Sequence, residues 1–107
     1  MIPSVGRIVH YTLNEQDAEA INRRRSHARA HMPEHQANSN GVQVHVGNAV
    51  SAGEVYPLVI TKVCSHHAPT EGTAVNGQVL LDGNDLYWAT SVDEGEGQGH
   101  WAVPPRV

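Results

Sequence analysis

Arg23, Arg24, Arg25 and Arg29 crowd one short stretch of this chain. A guanidinium group is planar and forked, so it can grip phosphate or carboxylate oxygens through two parallel hydrogen bonds. Arginines from symmetry-related copies could therefore line an anion pocket between subunits, closed by an aromatic side chain such as Tyr11 or Tyr87. The same cluster also fits a solvated helix end, where positive charge complements the helix dipole and Glu19 pairs with Arg23 four residues on. No phosphate-cradling loop accompanies it. Gly83-Asn84 and Gly95-Glu96-Gly97 match neither the P-loop nor the dinucleotide fingerprint.

The chain holds 8 histidines, which raises the question of a metal. His27, His31 and His35 fall at four-residue spacing and would share a helix face, but Pro33 interrupts that face. Cys64 with His66 and His67 lacks a paired cysteine upstream. The histidines are expected to be solvent-facing polar residues, and neither a metal nor a cofactor is expected. A nucleophile made of Cys64 and a distant base such as His10 has no local support, because Cys64 ends an apolar strand where a free cysteine is a small packing residue. Asp82, Asp85, Asp93, Glu94 and Glu96 sit in turns. They are expected to be solvated, with Asp82 and Asp85 fixing a hairpin turn by bonds to its backbone. No constellation of nucleophile, base and orienting group can be assembled, so no enzyme is expected.

These residues must be positioned by one small domain. At 107 residues, with 39% hydrophobic and 17% charged side chains, the chain reads as a single globular unit over 1–107. One cysteine and no phenylalanine leave an aliphatic core without an internal disulfide, anchored by Trp88 and Trp101. A net charge of -4 provides no general attraction to nucleic acid or to an anionic membrane, and neither is expected as a partner. The N-terminal residues carry no signal-peptide pattern and no run is long enough to span a bilayer. The expected location is a host cytoplasm or a particle assembled there.

The run from Arg7 to Leu13 reads as a strand, and Asn14 as the N-cap of a helix over about 14–32, which is an insertion after that strand. Its apolar stripe is narrow, resting on Ile21 and Met32 with alanines, so it is laid over the fold by its alanine face or used against another chain. That thinness favours a homo-oligomer. Residues 36–41 form a loop, and Val42, Val44 and Val46 alternate as a strand. Strands follow over Val55 to Val63, Val75 to Leu81 and Leu86 to Val92, the last with Leu86, Trp88, Thr90 and Val92 on one face and Trp88 inward. A short strand at Trp101 ends at Pro104-Pro105. Both tryptophans are expected in the core, while an exposed Tyr87 and Trp101 would make an aromatic platform. The fold class is mainly β: a small SH3-like barrel of five to six strands with a helical insertion.

Three blocks then carry a resemblance: Gly6-Arg7-Ile8-Val9-His10-Tyr11, Val75 to Asp85 with Trp88-Ala89-Thr90-Ser91-Val92, and Trp101-Ala102-Val103-Pro104-Pro105-Arg106-Val107. Together they resemble a small uncharacterised protein family of tailed bacteriophages and prophages, especially actinobacterial ones, over nearly the whole chain. Shorter members run from the first strand almost directly to Pro57-Leu58-Val59, which implies that about Leu13 to Gly53 is an elaboration. Gly77 stands where relatives commonly carry an apolar residue, and is expected to weaken its strand. The resemblance implies a binder acting without chemistry. The first expectation is an accessory protein, such as a counter-defence sponge holding a nucleotide-derived signal between subunits at Arg23, Arg24, Arg25, Arg29, Tyr11 and Tyr87. The alternative is a virion structural protein, as a capsid decoration or head-tail component.

Overall fold

The computed structural model describes residues 2–31, 45–64 and 74–106. Strand β1 (Ile8–Thr12) leads into helix α1 (Glu15–Ala30), followed by β2 (Val55–Val63), β3 (Val75–Leu80), β4 (Leu86–Val92) and the two-residue β5 (Trp101–Ala102). The strands form one antiparallel sheet in the order β4-β3-β2-β1-β5. The mainly β class holds, but the sheet is not closed. β4 and β5 share no ladder; only a single parallel bridge between Glu94, just past β4, and Trp101 of β5 links the two sides among the described residues, so the mainly β sheet approaches the expected SH3-like barrel without closing into one. His45 and Val46 lie in irregular chain rather than in the expected strand, whose remainder, like the loop over 36–41, falls outside the described residues.

One face of the sheet carries the core. Val9, Leu58, Ile60, Val79, Ala89 and Trp101 are buried there, and Leu13, Ala18, Ile21, Val50 and Leu81 close over them. Pro57 is tolerated in a central strand because pairing with β3 begins one residue later, at Leu58, so its missing N–H removes no bond on that side. Trp101 is fully buried, as expected, and ties the chain's end to the sheet by pairing with Tyr11.

Trp88 corrects the expected face of β4: it is 60% exposed. Tyr87 and Ala89 face inward instead, and the alternation is then broken by a bulge at which two residues of β4, Thr90 and Ser91, stand opposite Asn76 alone. Ser91 takes a left-handed φ of 53°, and its N–H donates to the Asn76 side chain at 2.8 Å. The extra residue turns Val92 back into the core. Leu86, Trp88 and Val92 look like one apolar stripe in sequence, yet the first two and the last lie on opposite faces.

Gly77 also differs from expectation. A Cβ there would stand 2.3 Å from Leu58 Cδ2 and 2.6 Å from the Val59 carbonyl oxygen, so the missing side chain is what lets β3 and Leu58 approach. Gly77→Ala is expected to cost about 1–3 kcal/mol through overpacking. Urea denaturation checks it: an unchanged midpoint would mean that Leu58 and β2 can yield.

Candidate functional site

The helix is anchored by polar as much as by apolar contacts. Asn14 caps it, accepting from the Asp17 N–H at 2.8 Å, while Asp17 returns a bond to the Asn14 N–H at 2.9 Å. This reciprocal capping box satisfies two backbone donors at the helix start. Asn22, Arg25 and Arg29 then fall at i, i+3 and i+7 on one face, and all three bind the backbone of the segment before β2. The Asn22 amide exchanges two 2.8 Å bonds with Val50, Arg25 donates to the Asn48 carbonyl, and Arg29 donates to that of Gly47.

Arg25 is the centre of this lattice and is only 2% exposed. Its Nη2 and Nε hold Asp85 Oδ1 and Oδ2 at 2.8 and 3.1 Å, a forked pairing between residues 60 positions apart. Arg24 reaches the same carboxylate at 2.8 Å from the solvent side. Gly47 and Gly83 flank the guanidinium, and a Cβ at either would come within 2.7 Å of it. Asp85 therefore does not serve the turn as a solvated residue, which corrects the sequence expectation. The Arg25 hydrogen bonds, supported by those of Arg24 and opposed by partial burial, hold its carboxyl down at about 2 instead of 3.8. Because the folded-state value lies below the unfolded one, this pair contributes stability that is present above about pH 4. It should be lost as pH falls from about 4 towards 2, by on the order of 2 kcal/mol. Chemical denaturation of wild type and Asp85→Asn across that window checks it, the variant losing that part of the slope.

A second polar centre joins two residues expected at a ligand. Tyr11 and Tyr87 both donate to Asp17, Tyr11 to Oδ2 and Tyr87 to Oδ1 at 2.8 Å. Asp17 is buried, and its two oxygens are thereby occupied by two phenols and one backbone N–H. Burial first, and then the bond to Asp17, push the Tyr87 phenol up to about 12 and Tyr11 higher still, so both stay neutral donors. An open polar cleft of about 310 Å³ lies beside them, bordered by Asn14, Gln16, the end of β4 and Gly99.

The expected site residues are thus split. Tyr11 and Tyr87 come together at Asp17, Arg24 and Arg25 at Asp85, while Arg29 binds a backbone carbonyl and Arg23 pairs with Glu19 on the surface at 2.7 Å. Asp17 and Asn22 went unread as site-builders. The N3 position of Asp17 in a capping box was the available signal.

Other candidates do not assemble. His10 pairs with Pro57, seven residues along β2 from Cys64, a separation of about 23 Å at strand rise, too far for a nucleophile and its base. The His27 and His31 rings lie tilted against each other with centroids 4.3 Å apart; His35, His66 and His67 lie outside the described residues. No group of three metal-ligating side chains occurs among the described residues.

Among the described residues, no helix covers the opposite face of the sheet. Ile8, Val59, Gln78 and Trp88 stand directly across from one another on β1 to β4, forming a row from one side to the other. Beside it lie His10 with Pro57, and Leu80 with Leu86. Ile8, Val55, Leu86 and Trp88 are each at least half exposed. Lys62, the only charged residue in the five strands, stands on this same face opposite Asn76, near the end of β2.

No family model, curated protein or solved structure matches the chain. Its own surfaces therefore carry the functional reading. No helix among the described residues is long and apolar enough to cross a membrane.

Proposed function

We propose that this chain is a non-enzymatic binding module of the tailed-phage kind, docking a protein on the helix-free face of its sheet. The observation that carries the reading is Trp88, 60% exposed at the end of the cross-strand row, with Leu86 and Leu80 on one side of it and the uncharged Gln78 directly across. A tryptophan held open on a rigid sheet is a costly residue to leave in water, and contiguous apolar patches of this type mark interaction sites. The arginine cluster adds less, because Arg25 and Arg24 share Asp85 and Arg29 serves the backbone. The test is a photo-crosslinking residue in place of Trp88, with Arg23 as the control position, in cells producing the full chain. Protein adducts at position 88 and none at 23 are expected, and a bare chain at both would overturn the reading.

Within a phage, such a module is either an accessory protein or a structural part of the virion. Mass spectrometry of purified particles separates the two: stoichiometric amounts make it a capsid decoration or head-tail component, and absence makes it accessory. A second reading, a sponge for a nucleotide-derived signal, is favoured by the cleft beside Tyr11 and Tyr87 and by the half-exposed Arg24. Cyclic dinucleotides and ADP-ribose derivatives should then raise the unfolding midpoint by mass action. A flat profile across them removes it.

A further inference from the structure

We infer that the docked partner enters as an extended, basic peptide segment that adds a strand to the open edge of β4; this rests on the docking reading above, because Trp88 belongs to that strand. In an antiparallel ladder each residue turns its N–H and C=O towards the same neighbouring strand, and successive residues alternate. Ile60 spends its backbone bonds on the segment ahead of β1, donating to Arg7 at 2.9 Å and accepting from Gly6 at 2.8 Å. Val59 therefore points to β3, where it pairs with Gln78, and the two neighbours of Gln78, Gly77 and Val79, point to β4. Those two stand opposite Ala89 and Tyr87. The N–H and C=O groups of Leu86, Trp88 and Thr90 are left turned outward, and among the described residues no strand pairs with them. Ser91 keeps the alternation, its N–H pointing back to the Asn76 side chain at 2.8 Å.

Open edges invite strand addition, so natural sheets blunt them with short strands, charges or prolines. β5 is blunted in this way. It is two residues long and is followed by Pro104 and Pro105, and the Trp101 N–H and C=O are taken by Asp93 and Gly95 at 3.2 and 3.0 Å. β4 runs for seven residues without a proline or a charge. Its outward side borders the open polar cleft of about 310 Å³, which Asn14, Gln16 and Gly99 also line. That space equals on the order of ten water volumes and takes a short length of extended chain. A strand laid there gains affinity from main-chain bonds, while its alternate side chains meet two different surfaces and supply the selectivity.

Charge selects a basic occupant. No lysine, arginine or histidine lines the cleft, and Asp17 is its one charged member. Glu15 and Asp93, both exposed, directly adjoin its lining residues Gln16 and Val92. The incoming residue opposite Trp88 shares the face of Trp88 at a Cβ separation of about 5 Å, so a lysine or arginine there lies over the open indole. The residues on either side of it turn towards Tyr87 and Gln16, where short hydroxyl side chains find hydrogen-bonding partners. The net charge of -4 favours such a cationic segment over a second copy of this chain.

The probe is a short capped peptide of alternating arginine and threonine, titrated to millimolar concentration into the isotope-labelled full chain, with alternating glutamate and threonine as the charge control. Amide hydrogen exchange is expected to slow several-fold at Leu86, Trp88 and Thr90 with the basic peptide, to stay unchanged at Tyr87 and Ala89, and to slow nowhere with the acidic one. Thr90→Pro removes an outward N–H and no bond to β3, so it should weaken the basic peptide about tenfold. A backbone N-methylated version of the peptide makes the same test on the wild type and should slow nothing. Equal slowing by the acidic peptide overturns the basic partner. Slow outward amides in the free chain at every dilution assign the edge to the chain's own residues, and slowing that grows with chain concentration assigns it to a second copy; either overturns the peptide. No slowing with the basic peptide, beside protein crosslinks at position 88, overturns strand addition and keeps the docking face. No slowing and no crosslinks overturn both.

Discussion

Asp85→Ala is expected to lower the stability of the fold by about 3–5 kcal/mol, because it leaves the Arg25 guanidinium buried without its counter-charge. The exposed end of the network matters far less: an isolated surface pair such as Glu19–Arg23 contributes about 0–1 kcal/mol. In a domain whose total stability falls in the usual range of about 5–15 kcal/mol, the loss is large enough to depopulate the native state. Thermal unfolding followed by circular dichroism should show a midpoint lower by at least about 12 °C. The double variant Arg25→Met with Asp85→Leu should recover much of that loss, since it removes both charges and keeps apolar volume between Gly47 and Gly83. A fall of less than about 1 kcal/mol in Asp85→Ala would show that the guanidinium finds water or another acceptor, and that the ties to Asn48 and Gly47 hold the helix without it.

Asp17→Ala should be the next most damaging change, at about 3–4 kcal/mol. It removes the returning half of the capping box, typically about 1 kcal/mol, and strips two phenols of their acceptor at about 1–1.5 kcal/mol each, the low end for an unpaired group because Tyr87 is only partly buried. Asp17→Asn should fall between, because one of its two oxygens becomes an amide that cannot accept from a tyrosine. Coupling makes the assignment specific. Tyr11→Phe should cost stability in the wild type and be neutral or favourable beside Asp17→Ala, where the hydroxyl has no partner. If Asp17→Ala stayed within about 0.5 kcal/mol of wild type, the tyrosines would be satisfied elsewhere and the helix would be held by Ala18 and Ile21 alone.

Both changes act on side chains that a functional reading of the sequence would place at a ligand. Arg25 and Tyr11 have the chemistry of recognition, but here that chemistry is turned inward, where it substitutes for apolar surface that the helix lacks. With Ala18 and Ile21 as its buried apolar contacts, α1 is fastened at its start by Asp17 and at its middle by Asn22 and Arg25. The protein thereby keeps α1 over one face, and among the described residues no helix covers the other. That division of labour is what exposes Trp88.

The sequence by itself determined the local structure. Asn14 and the acidic first turn start the helix, β-branched runs make the strands, Trp101 with its neighbours reads as core, and the chain is mainly β, because these choices depend on residues a few positions apart. What only the tertiary structure decided was which side of each element faces inward and where each charge ends up. A one-residue bulge at Ser91 reverses the strand alternation that pointed Trp88 to the core, and a carboxylate 60 residues downstream converts Arg25 from a free phosphate ligand into an internal clamp. The sheet stays open for the same reason: whether two edges pair depends on register and twist summed over all five strands, and no window of sequence contains that sum.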